Sequence, residues 1–151
     1  MFLLAFAIFM GSFITPPHSA TVPQFEYKVI HARIGSKVYE LDVADSILKQ
    51  HIGLSYRKEL KKGRGMFFLF DKPEIHEFCM VDMYFPLDLA WIRENKVVTI
   101  MENVPVTKKR RMELKDNEIL KPTQPADKVI ELNAGEIKKN RLKTGDIILI
   151  L

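Results

Sequence analysis

Imidazole, thiol and thioether side chains crowd one stretch of this chain: His76, Cys79, Met80 and Met83. These are the soft donors that suit Cu(I). On a helix all four would share one face. On a strand they divide, His76 and Met80 to one side and Cys79 and Met83 to the other. The flanking Phe78 and Pro86 favour extended chain, and Met and Cys are also ordinary gap-filling core residues. Metal binding is therefore the minor reading and a buried, inert Cys79 the major one. As a nucleophile Cys79 would need a base: His76 is nearest in sequence, while His31 and His51 could reach it only through folding.

A second candidate is Asp88. Leu87, Leu89 and Trp91 would face one side of a strand and Asp88, Ala90 and Ile92 the other. A carboxylate among such neighbours must be hydrogen-bonded or paired, because burying it alone costs several kcal/mol. The third feature is basic: Lys108-Lys109-Arg110-Arg111, with Lys138, Lys139, Arg141 and Lys143 further on. Such clusters attract phosphates or other anions. Glu113, Asp116 and Glu118 dilute the first cluster, so a solvated loop is the preferred reading and an anionic envelope surface the alternative. No nucleic-acid partner is expected. No serine-hydrolase elbow is present, and Lys61-Lys62-Gly63-Arg64-Gly65 lacks the Gly-Lys-Ser/Thr ending of a phosphate loop. No cofactor is implied.

The elements that must position these groups are short. Phe25, Tyr27 and Val29 alternate with charged residues, as do Tyr39, Leu41 and Val43, and Gly35-Ser36 between them predicts a hairpin. Asp45 or Ser46 can cap a helix over Ile47–His51 that Gly53 ends. Met66–Phe70 is a continuous apolar run suited to a strand buried on both faces, followed by a turn at Asp71-Lys72-Pro73. Strands are expected at Leu87–Ile92, Val97–Met101, Val129–Leu132 and Ile147–Leu151, with a short helix at Glu136–Arg141. Three prolines and little periodicity make 105–125 a long exposed loop. The fold class is α+β: one compact domain around a curled, mainly antiparallel sheet or partial barrel, with two short helices.

All of this falls in residues 21–151, because residues 1–20 contain no Asp, Glu, Lys or Arg. Met1–Ile14 is apolar but short of the roughly 20 residues that a spanning helix needs. Pro16-Pro17 breaks it, and His18-Ser19-Ala20 follows, the pattern of a secretory signal cleaved after Ala20. The basic start of such a signal is missing, and His18 suits its position poorly. An uncleaved membrane anchor or a buried core segment are the alternatives. The whole chain has 151 residues, a formal charge of +4, 47% hydrophobic and 28% charged residues. Those values exclude a disordered tail and a membrane bundle. One cysteine excludes an intrachain disulfide framework.

Taken in order, Gly53-Leu54, Arg57, Leu60, Gly65-Met66-Phe67-Phe68, Phe70, Phe78, Met80 and Pro86-Leu87-Asp88 form a recurring pattern. With Val129–Gly135 and Gly145-Asp146, it resembles the bacterial and archaeal domain of unknown function 192 family (DUF192), over about Tyr39–Leu151. The resemblance implies a small, β-rich, often exported domain and supplies no established activity. Such proteins usually carry Trp-Met-Lys-Asn-Thr where this chain has Cys79-Met80-Val81-Asp82-Met83. The motif also supplies Arg57 as the expected partner of Asp88, since its planar fork grips a carboxylate through two bonds. The pair reads as an internal clamp first and a ligand-orienting site second, because structural ion pairs mimic functional ones. The leading expectation is an exported, non-catalytic binding or accessory domain with Arg57, Met66, Met80 and Asp88 around a shallow pocket. An enzyme acting on an envelope carbohydrate or related small molecule, with Asp88 as acid or base, stands second. A soft-metal carrier stands third.

Overall fold

Two alternating runs open the part of the chain described by the computed structural model, residues 25–151. The expected signal segment lies outside the described residues. Strands β1 (Val29–Ile34) and β2 (Lys37–Ala44) form the hairpin about Gly35-Ser36. Gly35 has φ +60°, and a Cβ there would sit 2.7 Å from the Asn140 carbonyl oxygen, so the turn admits no side chain. The expected strand at Phe25–Val29 is not formed: Phe25–Lys28 precede β1, joined to β2 only where the Val43 amide donates to the Lys28 carbonyl at 2.8 Å.

Ser46 then caps α1 (Ile47–Ile52), its side chain accepting from the Lys49 amide, and Gly53 at φ +53° ends it. This helix buries no residue: Ile47 is 84% exposed and Leu48 66%. Its connection lets β3 (Arg64–Glu74) run parallel to β2. β3 continues through Asp71-Lys72-Pro73, where a turn was expected. Its pairing with β6 (Ala126–Asn133) is interrupted between Leu69 and Glu74, so Pro73 sits in an irregularity where its missing N–H costs no ladder bond.

β4 (Leu87–Arg93) and β5 (Lys96–Val104) make a second hairpin, and the 105–125 loop holds two 3-10 turns, Arg111–Glu113 and Asp116–Glu118. A short helix, α2 (Glu136–Asn140), and β7 (Leu149–Ile150) complete the chain. The seven strands lie in the order β5-β4-β6-β3-β2-β1-β7, antiparallel except at β2–β3. The sheet curls until its ends meet: Lys96 bridges to Ile147, and the Ile148 amide donates to the Asn95 carbonyl at 2.9 Å. That turn toward β5 is why the final strand is shorter than its apolar sequence predicts.

Alternation gives the curled sheet two faces. The concave face gathers Ile34, Leu41, Val43, Phe67, Ala90, Ile92, Ile130 and Leu132, closed by Ile137 of α2. The convex face carries Met66, Phe68, Leu89, Trp91 and Val129, covered by Leu54, Leu60, Met80 and Met83 from connecting segments. Gly65 is forced where β3 passes between them, since a Cβ would lie within 2.6 Å of the Glu131 carbonyl oxygen and 2.7 Å of Leu41. Among the described residues no helix is long and apolar enough to cross a membrane.

Candidate functional site

The expected Arg57–Asp88 pair does not form. Asp88 shares the concave side with Ala90 and Ile92 and has no solvent exposure. Its Oδ1 accepts from the Asn103 amide and its Oδ2 from the Ile137 amide, both at 2.7 Å. The carboxylate thus ties the end of β5 and the start of α2 to β4, and not the loop after the first helix to the sheet as the expected clamp would. An acid or base must come within hydrogen-bond reach of a substrate, and both oxygens here are committed and sealed.

Arg57 lies on the other face. Its Nη1 donates to Asp42 Oδ2 at 2.7 Å, while Arg64 Nη2 donates to Asp42 Oδ1 at 2.6 Å. The Arg57 guanidinium also sits 5.1 Å from the centre of the Tyr27 ring. Register explains the change of partner. Asp42 stands opposite Met66, Met66 opposite Glu131, and Glu131 opposite Leu89, one row across four strands. Asp88, one residue from Leu89, is turned away from that row by the two-residue period.

The soft donors do not divide as the extended reading anticipates: His76, Cys79 and Met83 border one cavity, described below, while Met80 shares the convex core with Met83. Phe78 bridges to Leu120, and the Trp91 indole donates to the His76 carbonyl at 3.0 Å, fixing the segment across β4. The His76 ring stacks on Phe70 at 3.6 Å, and its Nε2 lies 3.0 Å from the Lys72 carbonyl oxygen. Half-buried Cys79 accepts from Arg111 Nη1 at 3.2 Å, and Met80 is packed in the convex core. Among the described residues no three His, Cys, Asp or Glu side chains converge on a point that could hold a metal. In the basic loop, Lys109 pairs with Glu118 at 2.7 Å and Arg110 with Glu113 at 2.8 Å, so the cluster is partly neutralised from within.

What the fold does build on the convex face is a cavity of about 490 Å³. The end of α1 and the Gly53–Tyr56 turn form one wall, Phe68 and Phe70 of β3 another, and Phe78, Cys79 and Val81 a third. Glu131 of β6 also borders it. That residue is 6% exposed, and its side chain takes part in no hydrogen bond with the described residues. Burial pushes the Glu131 carboxyl up to about 8, against the opposing charge of Arg57. Asp42, Asp88 and Glu136, the other buried carboxylates, each receive two or more donors. Buried polar groups are ordinarily satisfied, and among the described residues Glu131 is the buried carboxylate without a donor.

Sequence reasoning did not single out Glu131, although a signal existed. It is the one acid inside Val129-Ile130-Glu131-Leu132, a strand otherwise apolar on both faces. Of the expected binding residues, Arg57, Met66, Met80 and Asp88, none lines the cavity; Met66 stands beside Glu131 in the sheet and Arg57 acts on its carboxyl by charge. Cys79 and Val81, standing where the DUF192 pattern has Trp and Lys, both line it.

The DUF192 profile, described as an uncharacterized ACR, matches residues 29–150. The chain belongs to the DUF192 family. Two solved structures share its fold. One is a candidate transcription regulator from Sinorhizobium meliloti 1021, 27% identical, covering 85% of this chain and 98% of its own, with a TM-score of 0.71. The other is a protein of unknown function from Novosphingobium aromaticivorans DSM 12444, 23% identical, covering 86% and 94%, with a TM-score of 0.67. No curated protein matches. The family therefore supplies the fold, the curled β-rich α+β domain, and leaves the activity to be argued from the cavity.

Proposed function

We propose that this chain is an exported, non-catalytic binding domain that holds a small organic ligand in the cavity beside Glu131. The observation that carries the reading is that carboxyl: 6% exposed, bordering the cavity, with no hydrogen-bond partner among the described residues. An uncompensated buried polar group costs roughly 1–3 kcal/mol, and a ligand that bonds to it recovers much of that cost. The cavity volume falls within the range of small-molecule sites. Support for export comes from the uncharged first twenty residues and the small residue at Ala20. Native mass spectrometry of protein recovered from an exported preparation tests both parts. The expected species begins at Thr21 and carries an organic mass that is lost on denaturation. A chain retaining Met1–Ala20 would overturn export. A bare protein that no compound in a small-molecule thermal-shift screen stabilises would overturn ligand binding.

A further inference from the structure

The chemistry of the cavity narrows what it can hold, a step that rests on the binding reading above. We infer that the ligand is a small organic ammonium, its charged nitrogen on the Glu131 carboxyl and its apolar body against Phe68 and Phe78.

Three observations converge. The first is the uncommitted carboxyl at the cavity wall, flanked on its own sheet by Met66 and Leu89, which offer it no donor. An ammonium brings its own donors and a complementary charge. The second is aromatic: Phe68 and Phe78 pack edge to face at 4.9 Å, Phe70 lies 6.4 Å from Phe78, and all three line the cavity. Aromatic faces attract cations, most strongly where water is excluded. The third is charge. Asp82 lines the same cavity and accepts from the Tyr56 hydroxyl at 2.7 Å, with no cation paired to it among the described residues. Glu77 leans on Lys121 at 3.2 Å. Arg111 is the one Lys or Arg in the lining, and its guanidinium is turned onto the Cys79 sulfur. A carboxylate ligand would meet the charge of Asp82 and only a neutral acid at Glu131, whereas a cation that displaces the Glu131 proton meets both groups favourably.

Binding also moves a proton. Burial holds Glu131 at about 8, so the empty site is protonated at neutral pH. As the ammonium docks, the carboxyl releases that proton to solvent and the ion pair forms. Arg57, from the turn after α1, favours the ionised carboxyl. His51 of α1, Tyr56 of the following turn, His76, Glu77, Cys79 and Asp82 from the opposite wall, and Arg111 from the long loop are the other titratable or charged groups among the described residues of the lining.

The experiment is isothermal titration of the protein with phenethylammonium, its neutral analogue 2-phenylethanol and the acid 3-phenylpropanoate, with NMR shifts of the cavity residues read in parallel. At about pH 8.5 the ammonium is expected to bind at least roughly tenfold tighter than either analogue. Its affinity should weaken roughly tenfold per pH unit below 8, with up to about one proton released, seen by comparing two buffers. Glu131→Gln should abolish the preference for the ammonium. If that variant does not fold, the pH dependence and proton release of the unaltered protein still decide the matter. Equal or tighter binding of the alcohol or the acid, with shifts at Phe68 and Phe78, would overturn the ammonium inference and leave the small-ligand reading standing. Absence of shifts from all three probes at millimolar concentration would overturn both.

Discussion

Glu131 and Glu136 are five residues apart and equally buried, at 6% exposure each, yet their carboxyls are driven in opposite directions. Burial raises both. At Glu136 the hydrogen bonds from Lys139, Lys37 and Tyr39 outweigh it and bring the carboxyl down to about 2. At Glu131 only the field of Arg57 opposes burial, and the carboxyl stays at about 8. Equal surface exposure hides a difference in depth: the Glu131 carboxyl is enclosed by the sheet and its covering segments, whereas the Glu136 carboxyl lies where the partly exposed Lys37 and Lys139 reach it. Depth and partners together separate the two.

The largest expected effect follows from the Glu131 side of that contrast. Its folded value lies above the ordinary carboxylate value of 4.5, so the folded state holds the proton longer than the unfolded chain. Stability is then full below about pH 4.5 and declines as pH rises through about 8, by an upper limit of the order of 4–5 kcal/mol. Urea unfolding at a series of pH values should show this decline between about pH 4.5 and 8 in the unaltered protein and lack it over that range in Glu131→Gln. Equal slopes in the two would mean that Glu131 has found a partner.

Asp88→Asn comes next. It replaces an oxygen that accepts a backbone N–H with an amide that donates, so one of two buried contacts becomes repulsive. A loss of about 3 kcal/mol in urea unfolding is expected. Unchanged stability would show that the Asn103 and Ile137 amides have other acceptors.

Glu136 supplies the mirror image of the first prediction. Its folded value is depressed, so the stability it contributes is present above about pH 4.5 and lost as pH falls through about 2. Glu136→Gln should remove that acid-side loss while leaving the decline toward pH 8 intact. The smallest effect is at Arg57. Asp42 keeps Arg64 when Arg57 is replaced, so Arg57→Leu should cost only about 1 kcal/mol. The carbon-13 titration of Glu131 should nevertheless move higher, since the one charge favouring its ionised form is gone. A downward movement would break the account of that carboxyl.

Much of the fold was legible because its signals are local. The hairpin followed from the Gly35 turn and the alternation of Tyr39, Leu41 and Val43, although its first strand, Val29–Ile34, begins where the run Phe25–Val29 ends, and α1 needed only Ser46 and Gly53 at its ends. The two hairpins, the long loop and α2 appear where their patterns place them. Asp71-Lys72-Pro73 misled because a turn sequence and a sheet irregularity ask for the same residues, and only the partner strand distinguishes them. Arg57 and Asp88 misled for a different reason: each needs a counterpart, and sequence spacing does not say which face of a strand will meet which loop.

By itself the sequence determined the family, the α+β class, the alternation that splits the sheet into two faces, and the presence of a buried acid at Asp88. The tertiary structure decided which donors reached which acid. Asp88 found two backbone amides, Asp42 two arginines, Glu136 two lysines and a tyrosine, and Glu131 none among the described residues. Strand register sets these pairings, and register comes from contacts between residues distant in the chain. A residue's own neighbours in sequence carry no record of them.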